Sequence, residues 1–139
     1  LADEIRNAWK GIKMGPVQAK ECETAIEASP DDLEARCKLL GYYSSNRFTD
    51  PIGLEKYHEH VLFTISTFPE NKIAGSQYAH FDLSIDGNIC YEKAKSLWLS
   101  HVQDKPTNPM ILANASSFFA KSEKQLASEL SEKLKKLSF

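Results

Sequence analysis

Residues 54–69 read Leu54-Glu55-Lys56-Tyr57-His58-Glu59-His60-Val61-Leu62-Phe63-Thr64-Ile65-Ser66-Thr67-Phe68-Pro69. Leu54, Tyr57, His58, Val61, Leu62, Ile65 and Phe68 recur in steps of three and one, which gathers them on one side of a helix turning every ~3.6 residues. A half-buried strand would alternate at every second residue, and no run in the chain does so convincingly between turn signals. Pro69-Glu70-Asn71 ends the helix, and Arg47 to Gly53, with Asp50-Pro51, reads as the loop before it.

The same reading extends to both ends of the chain. Ile5, Ala8, Trp9 and Ile12 form an amphipathic stripe with Asp3 and Glu4 at its start, where carboxylates suit the helix dipole. Gly15 stops that helix. Pro16 suits the first position of a second one carrying Ala19, Cys22, Ala25 and Ile26, which ends by Ser29-Pro30 because the residue before proline avoids helical geometry. Asp31 or Asp32 caps a third helix, lined by Leu33, Cys37, Leu40 and Gly41 or Ser44, that runs to about Asn46. Beyond Pro69, a fifth helix would carry Ala74, Tyr78 and Phe81 and close in an Asp86-Gly87-Asn88 turn. A sixth carries Ala94, Leu97, Trp98, His101 and Val102 as far as Lys105-Pro106. Asn108-Pro109 is a cap followed by a first position for a seventh with Leu112, Ala115, Phe118 and Phe119. Ser122 would cap an eighth, striped by Leu126, Ala127, Leu130, Leu134 and Leu137.

Pro30, Pro69 and Pro106 each end one helix and introduce the next, 39 and 37 residues apart. A period of this length marks stacked helical hairpins, because a lone hairpin cannot cover its apolar face. Leu40-Gly41-Tyr42-Tyr43 followed by Ala94, Trp98 and Pro106, with Tyr78-Ala79 as a weaker echo of Leu40-Gly41, resembles the tetratricopeptide (TPR) pattern. The spacing exceeds the roughly 34 residues of a strict TPR, and related repeats such as HEAT fit as well. The resemblance implies an all-α fold: one domain over residues 1–139, a TPR-like stack of antiparallel hairpins (an α–α superhelix) with about seven or eight helices. It also implies a concave groove that binds a peptide or partner segment, lined by Lys38, Tyr42 and Asn46, then Gln77 and His80, then Asn114 and Ser117. The Lys-and-Asn clamp with which some TPR domains hold a terminal carboxylate is not reproduced, since Tyr42 stands where that clamp carries asparagine.

Composition narrows the function classes. The 139 residues hold 42% apolar and 26% charged side chains, ordinary for a folded domain, with 17 basic residues against 19 acidic ones. No basic run is long enough to neutralise successive phosphates, so nucleic acid is not an expected partner. Lys133 and Lys136 follow Glu129 and Glu132 by one helical turn, as on a solvated face. No apolar stretch approaches the ~20 residues that span a bilayer, so membrane insertion is not expected. The chain begins at Leu1 rather than Met, which leaves room for a removed leader or a larger parent protein. The compartment stays open, with the cytoplasm favoured.

Catalytic motifs are missing: no HExxH, GxSxG, GxxxxGK[ST] or GxGxxG occurs, and the six glycines stand singly. His58 and His60, two apart on a helix, point roughly 200° from each other and do not converge on one ion. Cys22, Cys37 and Cys90 lack metal or redox spacing and read as reduced, buried thiols. Asp31-Asp32 and Glu21/Glu23 read as capping or solvated carboxylates. His101 reads as a satisfied, semi-buried side chain, and Asn114-Ala115-Ser116 as an accidental glycosylation sequon inside a helix. No catalytic residue, metal or cofactor is expected. The function that remains is a protein-interaction module or scaffold, with a self-associating structural segment as the alternative and an enzyme built from scattered residues such as His80 as a third class.

Overall fold

The computed structural model describes residues 2–49 and 51–137. Within them the chain is all-α, with eight α-helices, two short 3-10 turns and no strand. Its contacts gather into two compact units, Leu1–Val61 and Leu62–Phe139.

The first unit holds α1 (Asp3–Ile12), α2 (Pro16–Ala28), α3 (Leu33–Asn46) and the start of α4 (Pro51–Thr67). Local chemistry sets the ends. Pro16 opens α2, and Gln18 Oε1 accepts the Gly15 N–H at 2.9 Å. Of the two candidate caps, Asp32 is the one that acts, its Oδ1 accepting the Ala35 N–H at 3.0 Å. Proline tolerates the first helical turn, so α4 starts at Pro51 and the expected loop to Gly53 is shorter.

Helix α3 is the centre of this unit, packing on both α1 and α2. Leu39 and Leu40 are fully buried, each contributing about 2 kcal/mol of apolar transfer. On the α1 side the backbones meet directly. A β-carbon on Gly11 would overlap the Lys38 carbonyl, and one on Gly41 would overlap the carbonyl of Ala8. This reciprocal pair of glycines centres the contact on the Ala8–Gly11 line and corrects the expected stripe of α1. Trp9 (53% exposed) and Ile12 are turned outward, because a crossing that tight has no room for an indole.

Helix α4 is likewise rotated from its apolar reading. Tyr57, Val61 and Ile65 are buried as expected, but His60 and Thr64 share their side, while His58 and Leu62 are only partly covered.

In the second unit the expected fifth helix is replaced by two 3-10 turns, Lys72–Gly75 and Gln77–Ala79, an extended step, and the short α5 (Leu83–Asp86). Polar side chains restart the chain each time: Asn71 Oδ1 accepts the Ile73 N–H, Ser76 Oγ the Tyr78 N–H, and Asp82 Oδ1 the Ser84 N–H. Ala74, Tyr78 and Phe81 are still buried, though not along one helix. Gly87, at φ +88°, makes the turn into α6 (Asn88–Asp104), whose Tyr91, Ala94, Trp98 and Val102 face inward. Asn108 caps α7 (Pro109–Phe119) as expected, accepting the N–H groups of Met110 and Ile111. Helix α8 (Lys124–Lys135) lays Ala127 and Leu130 against α7. Ser122 does not cap it; Glu123 occupies the cap position and turns its carboxylate to the Tyr91 hydroxyl (2.8 Å) and Lys95 (2.6 Å).

Candidate functional site

Of the concavities among the described residues, two gather several polar side chains from more than one element, and one of them lies in the same unit as a buried polar cluster. The first concavity, about 410 Å³, lies in the first unit between the end of α1, the first half of α2 and the middle of α3. Lys10, Lys13 and Met14 share one face at the α1 end, Gln18, Glu21 and Cys22 come from α2, and Lys38 from α3. Lys13 Nζ sits 4.5 Å from the ring centroid of the exposed Trp9, a cation–π contact that holds the ammonium at the rim. Lys38 Nζ pairs with Glu34 at 3.2 Å, one turn before it. Burial raises the Cys22 thiol pKa while the charge of Lys38 pulls the other way.

Behind this concavity, α2, α3 and α4 are tied by side chains. Arg36 Nη1 lies 3.0 Å from His60 Nδ1, and its Nη2 donates to the Pro30 carbonyl at 2.9 Å. A guanidinium only donates, so Nδ1 is an acceptor and the ring proton belongs on Nε2, which lies 2.9 Å from Glu23 Oε1. Glu23 Oε2 accepts from the Tyr43 hydroxyl at 3.2 Å, with Lys56 Nζ at 3.6 Å, and the Tyr43 ring stacks on His60. Arg36 and His60 are 5% and 3% exposed. Burial pushes the Glu23 carboxyl up, but the ring N–H that His60 turns toward it, the Lys56 ammonium and the Tyr43 hydroxyl outweigh it and hold it below its ordinary value. Glu23 is therefore not the solvated carboxylate its sequence position suggests, because its partners stand on two other helices.

The second concavity, about 610 Å³, opens in the second unit at the ends of α4 and α6, with Phe68, Glu70, His101, Asp104 and Lys105 on its wall. His101 is held by Nε2 at 2.8 Å from the Ile65 carbonyl, in keeping with a satisfied residue. Hydrogen bonding and charge from Lys105 hold Glu70 below its usual range. Among the described residues no group of three or more His, Cys, Asp or Glu side chains converges as a metal site would require.

The residues nominated for a groove are distributed unevenly. Lys38 lines the first concavity. Tyr42 is half-buried with its ring edge against Tyr43, and Asn46 donates to the Tyr42 carbonyl of its own helix at 2.7 Å. In the second unit Gln77 and Ser117 are exposed and His80 packs against Phe118, 5.5 Å between ring centroids; Gln77 and His80 stand on 3-10 and extended backbone rather than on a helix. Asn114 is 6% exposed, and its Nδ2 donates to the carbonyls of Pro69 (2.9 Å) and Asn71 (2.8 Å), so it fastens α7 to the turn before it. The sequence reading missed Lys10, in the last turn of α1, and Lys13 and Met14, which follow its end at Ile12 and reach the hollow from the turn there.

The class this fold defines is the all-α class. No protein family, curated protein or solved structure matches the chain. No helix among the described residues is long and apolar enough to cross a membrane.

Proposed function

We propose that this protein is an interaction module, not an enzyme, and that it receives a segment of a partner protein in the α1–α2–α3 concavity. The observation that carries the reading is the convergence of Lys10, Lys13 and Lys38 on one open hollow whose wall also carries Met14 and Cys22. A few polar groups placed around soft apolar surface is the composition of binding clefts generally. The TPR-like reading is supported by the glycine-mediated contact of α3 with α1 and by the packing of α3 on α2, since the first helix of a second hairpin packs on both helices of the one before it. A peptide array probed with the wild type and with Lys10→Gln/Lys38→Gln tests it: a set of peptides bound by the wild type and lost in the variant is the expected result. Equal binding by both would move the surface elsewhere.

Self-association is the second reading, supported by Leu83, Ile85 and Ile89, which stand exposed within seven residues of one another. A mass that rises with concentration in sedimentation, and falls back in Ile85→Lys/Ile89→Lys, is the outcome it requires.

A further inference from the structure

Resting on the reading of the first concavity as the binding surface, we infer that its occupant is an acidic segment of a partner protein. Its separate carboxylate side chains pair with Lys10, Lys13 and Lys38, and an apolar side chain lies on the exposed indole of Trp9 beside Lys13. Lysines in the last turn of α1 complement the helix dipole, and that alone accounts for Lys10. It does not account for Lys38, in the middle of α3, lining the same hollow, nor for an indole left 53% exposed beside it with the Lys13 ammonium over its face. The three cations come from two helices, and no arginine lines the hollow, so nothing there grips two oxygens of one planar group. Lysines act as separate point charges, which suits several carboxylates spread along a chain better than a single terminal one. The first turn of α2 adds the positive end of its dipole beside Gln18, while Pro16 carries no N–H and the Gly15 N–H is already taken by the Gln18 side chain, which removes two of the donors a phosphate would use there. Glu21 lies on the same wall and opposes an anion. The existing Lys13–Trp9 and Lys38–Glu34 contacts keep these cations at the rim until a carboxylate exchanges with them.

The test uses a peptide of alternating glutamate and leucine, blocked at both ends, and its glutamine counterpart, titrated against the whole chain while tryptophan emission is followed. Trp98 is fully buried, so Trp9 reports. The expected result is that the acidic peptide binds and shifts Trp9 emission as it draws Lys13 off the ring, with affinity falling as salt is added. Each of Lys10→Gln, Lys13→Gln and Lys38→Gln should weaken it about three- to fivefold, and Glu21→Gln should tighten it by a similar factor. These side chains lie on the surface, and the Glu21→Gln gain cannot arise from a damaged fold. Equal binding of the glutamine peptide, indifference to the lysine changes, or the same emission change on phosphatidylserine vesicles in place of the peptide would overturn the inference. Binding of non-acidic peptides at this hollow, with none of the acidic probe, overturns the acidic occupant and leaves the interaction module standing. A random peptide panel that never perturbs α1 or α3 resonances removes both.

Discussion

Gly41 of α3 lies directly under the carbonyl of Ala8 in α1, so close that a β-carbon at 41 would occupy the space of that peptide group, and Gly11 returns the same relation to Lys38. Two helix backbones in contact cannot yield as a flexible side chain would. Gly41→Ala gains some helix propensity but forces the helices apart, and the expected net cost is about 2 kcal/mol or more, read as a lower thermal midpoint. Gly11→Ala should cost a similar amount. The double variant should cost less than the two together, because helices already parted have made room for the second methyl.

The Glu23 cluster predicts an acid limb to the stability curve. The folded-state pKa of Glu23 lies below its ordinary 4.5, so its contribution is fully present above that value and is lost as pH falls through the lower folded value. Denaturant midpoints should therefore drop below about pH 4.5, and Glu23→Gln should flatten that part of the profile. At neutral pH the same substitution is expected to cost about 1–3 kcal/mol, since it weakens acceptance from His60 and Tyr43 in a half-buried site.

The contact with Arg36 leaves His60 Nδ1 unprotonated, which nitrogen-15 long-range spectra read directly as the Nε2–H tautomer. Arg36→Met should release that constraint and also leave the Pro30 carbonyl without its side-chain donor, loosening the α2–α3 connection. Faster amide exchange at residues 29–32 is the expected sign.

Cys37 is fully buried, and burial, with the charge of Glu4 adding to it, pushes its thiol up to about 12. Only the thiolate attacks an alkylating reagent, so near pH 8 Cys37 should stay unmodified until the protein unfolds, whereas the half-exposed Cys22 and Cys90 react. Peptide mapping after iodoacetamide treatment, with and without denaturant, checks the order.

Asn114→Asp should be the most damaging of the conservative changes, because it replaces the NH2 group that donates both bonds by a carboxylate oxygen facing the Pro69 and Asn71 carbonyls. A loss of about 3 kcal/mol is expected, and about 2 kcal/mol for Asn114→Leu, which leaves those carbonyls without this donor. Calorimetry gives the magnitude. Gly75→Ala should behave similarly, since its β-carbon would collide with Asn114.

Where the chain's local chemistry is complete within a few residues, its structure was legible. Pro16, Asp32, Asn108 and Gly87 act through hydrogen bonds and dihedral limits spanning at most four residues, and each begins or breaks a helix where its neighbours imply. Residues 72–81 were not legible, because buried side chains at a plausible helical spacing there belong to a segment whose backbone donors are claimed by Asn71 and Ser76 and whose Gly75 receives Asn114. Of the proposed binding surface, Lys38 was visible as a candidate. Its companions on α1 were not, since the apolar stripe through Trp9 and Ile12 pointed the helix the wrong way.

The sequence by itself determined the all-α class, the order of most helices and many of their ends, because periodicity, capping and proline geometry are short-range. The tertiary structure alone decided which side of α1 and α4 is inside, that Glu23 is held by His60 and Tyr43 rather than by water, and that Lys10, Lys13 and Lys38 meet at one hollow. Those outcomes depend on how closely two helices approach and on partners up to 37 residues away along the chain, distances over which a local pattern carries no energy of its own.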